Sequence, residues 1–382
     1  MRYLSTKPAE ASVSLPRFVG YFLWLGTVGF GGPIALAGHM QQDLVDDRQW
    51  VNKEDYVQGL ALAQLAPGPL AAQLAIYLGY VRAGVLGATA VGIAFILPSF
   101  LMVIALSAAY VRFGGLRWMQ GMFYGIGAAV IGIIARSAVK LTKLTLSKDK
   151  LLWSIFSVLA LSTAWTSHEI IWLFLLAGAI AVLVKAPLRR LPAAKATPLL
   201  FTGAIFSGGG ILLQIFLYFA KAGMFVFGSG LAVVPFLYGG VVQGHHWLNE
   251  HQFVDAVAVA MITPGPVVIT VAFIGYLVAG LSGATAAALG IFLPVYLVVV
   301  VLAPSYKRWA NNPQLNAFVK GVTAAATGAI AGAVVVLARR SVYDLPTALI
   351  CIVSLAVLFR WKVPEPILIS CSAVVGLALH RT

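Results

Sequence analysis

Apolar residues run along this chain in long blocks. They show neither the three-to-four spacing of a surface helix nor the alternation of a half-buried strand. The blocks fall near residues 17–37, 57–80, 84–110, 118–139, 151–166 and 169–185. A second set falls near 214–238, 253–278, 280–303, 315–338, 345–360 and 365–380. Stretches of about 20 residues with one charge or none can cross a roughly 30 Å hydrocarbon core. The pattern therefore predicts an all-α polytopic membrane protein with about six apolar segments in each half. The last two segments of each half are short, which predicts tilted or incomplete spans.

The two sets are copies. At an offset of 197, Phe30-Gly31 matches Phe227-Gly228, Trp50 matches Trp247, Asn52 matches Asn249 and Val57 matches Val254. The same offset pairs Pro67-Gly68-Pro69 with Pro264-Gly265-Pro266. At 196, Gly79-Tyr80 matches Gly275-Tyr276, Gly87-Ala88-Thr89 matches Gly283-Ala284-Thr285, and Leu97-Pro98 matches Leu293-Pro294. Gly125 with Gly321 and Gly132 with Gly328 extend the register. Such a register marks a duplicated half. The expected organisation is a cytoplasmic segment at 1–16, a first membrane repeat at 17–185, a basic linker plus candidate extra span at 186–213, and a second repeat at 214–382.

Residues 199–213 have no counterpart before the first repeat, and they decide orientation. Six spans alone leave the halves parallel; six plus this stretch invert the second. Arg2, Lys7 and Arg17 place the N-terminus inside, and the five acids of residues 39–55 suit the outside. Lys307, Arg308, Arg360 and Lys362 favour inverted repeats, against Arg339, Arg340 and Arg381.

The matched Pro-Gly-Pro motifs interrupt apolar runs: LAQLAPGPLAAQ at residues 62–73 and MITPGPVVIT at 261–270. Proline inside a helix removes a backbone hydrogen bond and clashes with the preceding turn, at about 3 kcal/mol or more. In hydrocarbon the freed groups need protein or a polar cavity as partner. Gln64 and Gln73 flank the first break, Thr263 and Thr270 the second. Pro69 and Pro266 suit the first position of new half-helices, with Thr263 helping to cap the second. Each start turns N–H groups and about half a positive charge toward whatever lies ahead of it, a ready anion site. FGGP (Gly31, Gly32, Pro33) and FGSG (Gly228, Ser229, Gly230) also interrupt apolar segments, and glycine permits close backbone approach. Discontinuous helices at matching positions of two repeats point to a transporter binding site; kinking and tight helix packing are the competing roles.

Composition sharpens this. Of 382 residues 60% are hydrophobic and 10% charged, the mean hydropathy is +0.93, and the net charge is +14. The basic residues cluster in short loops near 140–150 and 185–195, the membrane pattern rather than a nucleic-acid surface. Cys351 and Cys371 lie in apolar segments as small buried residues; no metal site and no cofactor are expected. The acids lie in termini, loops or segment ends, Asp255 among them, which argues against an acid-based proton relay. Lys221 and Arg136 lie deeper, and an interior that admits positive charge suits an anion; snorkelling accounts for them as well. His39 flanks a broken segment and is a coupling candidate.

These motifs resemble the chromate ion transporter family. FGGP, DDRQWV, the Pro-Gly-Pro stretch and FILPSF are similar to its first half; FGSGLAVVP, TPGPVVITVAFIGY and IFLPVY are similar to its second. The resemblance covers residues 18–338. It implies inverted repeats from the fusion of two short proteins, and an inner-membrane exporter of chromate that confers resistance, with sulfate as a close mimic. Here Leu36 and Ala37 precede His39, where relatives often carry His earlier, and Gln64 stands where they carry Asn or Gln. The expected activity is secondary transport of a tetrahedral dianion, not catalysis. Another oxyanion, sulfate for instance, or an anion channel is the alternative. The partners expected are chromate or sulfate, the bilayer and a second copy as homodimer.

Overall fold

In the computed structural model, residues 13–30, 32–113, 116–166, 171–186, 210–224, 233–305, 312–361 and 363–379 are described, and the elements assigned among them are helical. The first half opens with two helical hairpins rather than two spans. α1 (Leu15–Val28) ends at Gly29, and α2 (Gly32–Gln41) runs back along it. Tyr21 on α1 donates to Asp43 at 3.0 Å, in the π-turn (Gln42–Asp47) that follows α2. α3 (Lys53–Leu65) starts on the Asn52 cap, whose side chain accepts from the Asp55 N–H at 2.6 Å. The chain reverses at Pro67-Gly68-Pro69 into α4 (Leu70–Phe113), and Gly59 stands against Tyr77, so the two limbs are antiparallel.

α4 itself turns back. Ala83 (φ −148°) and Gly84 (φ 59°) leave helical geometry, and Gly79 then faces Gly87 backbone to backbone. Residues 85–113 form one long limb of about 43 Å at ~1.5 Å per residue. The second half repeats the device. α8 (Ile211–Gly223), α9 (Val233–Leu237) and α10 (Glu250–Ile262) lead to α11 (Thr270–Leu302), which breaks at Ala279 (φ −145°) and Gly280 (φ 59°). The register pairs now have jobs. Asn249, like Asn52, caps an entering limb, in a capping box with Gln252. Trp50 packs on Phe18 and Tyr21, and Trp247 on Tyr218 and Phe219, fastening each second hairpin to the first.

Contacts along the long limb of α4 set the orientation. That limb starts on the face where α3 enters and ends on the other. Near its end Tyr110 bonds Asp255, close to the start of α10; at its middle Ser99 meets Gly265, the tip of the second hairpin. The second hairpin therefore enters from the opposite face, and the repeats are inverted. The candidate extra span at 199–213 lies outside the described residues except for 210–213, of which 211–213 open α8; Lys307, Arg308, Lys362 and Arg381 are outside them too.

The remaining helices are exchanged between halves. α5 (Arg117–Leu146) packs on α13 (Leu345–Arg360) and α14 (Glu365–Leu379). In return α12 (Pro313–Ser341) packs between α6 (Lys150–Thr166) and α7 (Ile171–Lys185). Glycines make these contacts close: Gly125 faces Ser372, and Gly328 faces Phe156. Among the described residues four helical stretches, Leu70–Phe113 and Val267–Leu302 with their Ala-Gly breaks, and Arg117–Leu146 and Pro313–Arg339, are long and apolar enough to cross a membrane.

Candidate functional site

Both Pro-Gly-Pro motifs sit at hairpin tips, level with the middle of the long limbs. Gly68 packs against Val295 of α11, and Gly265 against Ser99 of α4. Ser99 and Val295 are equivalent at the 196 offset, so each tip rests on the other half. The second tip is also tied to the first hairpin's turn: the Gly265 N–H donates to the Gly29 carbonyl at 2.8 Å. Gly32 and Pro33 of FGGP follow that contact by three and four residues, at the start of α2. The matching FGSG residues Gly228, Ser229 and Gly230, and Gly31, lie outside the described residues.

The tip geometry corrects the expected roles of several residues. Pro69 does not occupy the first helical position. It precedes α4 and its carbonyl accepts from the Gln73 N–H at 3.0 Å. Pro266 likewise caps a short 3₁₀ turn (Val267–Ile269) that leads into α11. Thr263 does not cap that start; its hydroxyl donates back to the Val259 carbonyl at 2.7 Å, closing the end of α10. Thr270 donates to the Val267 carbonyl at 2.9 Å.

Gln73 is fully buried. Its Nε2 donates to the Pro67 carbonyl at 2.7 Å and the Ala66 carbonyl at 3.3 Å, so it satisfies backbone groups that the break frees. Its Oε1 is buried without a partner among the described residues. Two carbonyls on the amide nitrogen fix which end is which, because a flip would set oxygen against oxygen. Gln73→Leu should cost about 1–3 kcal/mol, the range for leaving buried polar groups unpaired. Thermal unfolding in detergent measures it, and unchanged stability would show that Gln73 does not hold the tip.

Other candidates do not converge on the tips. Gln64 is exposed, and so is His39 at the end of α2. Arg136 lies beside Glu365 at the start of α14. Lys221 is exposed on the last turn of α8, two residues before Gly223, which packs on Ile291 of the long limb; it is thus at tip level, on the face that carries Leu213 and Leu217. One group escaped the sequence reading. Asp255 is only 9% exposed, and Tyr110 of the other half donates to it at 2.7 Å. Its position near a segment end suggested solvent.

The sequence profile of the chromate transporter family matches residues 17–183 and 213–377. The chain belongs to the chromate transporter family. A chromate transport protein of Cupriavidus metallidurans is 60% identical over 96% of this chain and 94% of its own length. A probable chromate transport protein of Synechococcus elongatus is 56% identical over 95% of both chains, and a chromate transport protein of Pseudomonas aeruginosa is 30% identical over 94% of this chain and 90% of its own. No solved structure matches. The two matched regions are the two inverted halves, and the family is one of transport proteins, not enzymes. With its long apolar helices, this member is a multi-pass membrane protein.

Proposed function

We propose that this chain is a secondary transporter that moves chromate outward across the cytoplasmic membrane by alternating access. The two Pro-Gly-Pro tips form its oxyanion site. The observation that carries the reading is the pair of matched tips, entering from opposite faces and each seated at the middle of the other half's long limb. Residues 70–82 and the turn after Pro266 start there with N–H groups that no helix turn can satisfy. Two dispersed partial positive charges suit a ligand with four oxygens and two negative charges, and release it more readily than a fixed lysine pair.

The names of the relatives support chromate as the anion, and their bacterial sources support the cytoplasmic membrane. The residues proposed to line it are Pro67, Gly68 and Pro69 from one tip and Pro264, Gly265 and Pro266 from the other; Gln73, Thr263 and Thr270, whose donors are spent on backbone carbonyls, hold the two tips in shape. FGGP and FGSG, as matched motifs of the two halves, are proposed as further contacts on their sequence alone. Direction follows from the field. With the interior negative, moving two negative charges outward releases about 4.6 kcal/mol per 100 mV. Export then confers chromate resistance.

Everted vesicles with Pro67→Ala plus Pro264→Ala protein test the site. Chromate uptake should fall about tenfold or more, equivalent to about 1.4 kcal/mol of lost barrier stabilisation. Unchanged transport would sink the reading. Single-channel currents would replace it with a channel, and stronger competition by sulfate would change the substrate.

A further inference from the structure

A carboxylate inside a membrane bundle is a functional group by default, because its charge is costly there. Asp255 sits on the entering limb of the second hairpin, and its recorded hydrogen-bond donor is the hydroxyl of Tyr110, on the long limb of the first half. A buried ionised carboxylate needs several donors or a cation to replace its lost hydration. Among the described residues one hydroxyl is supplied. The side chains recorded against the pair are apolar: α5 brings Phe123 onto the Tyr110 ring and Gly127 against Val254, and α11 brings Phe273. In the π-turn before α10 (Tyr238–Gly244) Tyr238 bonds Glu250, and on α14 Glu365 lies by Arg136 and Lys140. Tyr110 is the titratable group that faces Asp255 among the described residues.

The bond spans the seam between the halves. Rocking one hairpin against the other half's long limb, as alternating access requires, opens it. We propose that Asp255 is the proton-binding residue of the transport cycle, with Tyr110 as the positioning residue that closes over it. In the closed state the neutral carboxyl accepts the Tyr110 hydrogen bond. When the hairpin moves, the carboxyl meets water, releases its proton there, and takes up another from the opposite face after the return. Protons and charge balance without any redox partner. The pair occurs at one seam only, because the residue equivalent to Asp255 is Gln58, so one proton is exchanged per cycle. This rests on the reading of the chain as an oxyanion transporter.

Full-length protein in proteoliposomes with an entrapped pH dye tests both. Chromate counterflow reports transport itself, and the dye reports coupled protons. Wild-type protein should show both. Asp255→Asn should keep counterflow within about twofold, as a stand-in for the neutral acid, and lose at least about nine-tenths of the chromate-driven pH change. If that variant does not reach the membrane, Tyr110→Phe decides. The pH of half-maximal transport should move down by about one unit, because the closed, protonated state loses the hydrogen bond that stabilises it. No counterflow in wild-type protein would overturn the transporter reading. Counterflow without a pH change, an Asp255→Asn protein that still moves protons, or an unshifted Tyr110→Phe profile would overturn the role of Asp255 alone.

Discussion

Vesicles carrying Gly265→Ala protein should take up chromate at about a tenth of the wild-type rate or less, from one added methyl group. Gly265 holds φ +100°, a backbone region that side chains rarely adopt. Strain of that kind costs about 1–3 kcal/mol. The new Cβ would also lie 2.0 Å from Ser99 Oγ and 3.1 Å from Ser99 Cβ. Relief means moving the tip, and the 2.8 Å bond from the Gly265 N–H to Gly29 is what holds it. The substitution therefore acts on a point where a tip, a long limb and the other half's first turn meet. Adding Ser99→Ala removes the 2.0 Å clash but not the backbone strain, so the double variant should recover only part of the rate. A fully active single variant would mean that the tip is not seated as described.

Gly125→Val should give the largest loss of stability, about 3 kcal/mol or more, at the upper end for overpacking. A Cβ at Gly125 would lie 1.9 Å from the Ser372 carbonyl and 2.8 Å from Gly376 Cα. Both obstacles are backbone, so no rotamer change relieves them. α5 and α14 belong to different halves, and small residues alone let their backbones touch. Prying them apart loosens the exchange that joins the halves. Thermal aggregation in detergent measures the loss. Gly20→Ala is the control: nothing lies within 4 Å of its Cβ position, and its stability should stay within about 0.5 kcal/mol.

Much of the architecture is legible in the chain itself. Hydropathy marks the solvent, and the register of Trp, Asn, Pro-Gly-Pro and Leu-Pro marks the duplication. The gaps between 80 and 84 and between 278 and 280 mark the Ala-Gly breaks. Pro-Gly-Pro announces that helical backbone stops, because proline withholds an N–H and glycine admits conformations that others avoid. Those are local properties, and a linear sequence carries them fully.

Three other features are decided only by packing. Residues 17–37 and 57–80 read as spans and are hairpins. A break looks the same whether the next limb continues or reverses; the outcome depends on the surface it packs against, as Gly59 against Tyr77 shows. The exchange of α5 and α12 between halves depends on glycine faces that meet across more than a hundred residues. Asp255 looked solvated by position, and it is buried because Tyr110, 145 residues away, closes over it. What the sequence by itself determined is where helices stop and that everything occurs twice. Which limb faces which, and hence where a charge is buried, was settled by the tertiary structure, because those contacts join residues that no local pattern links.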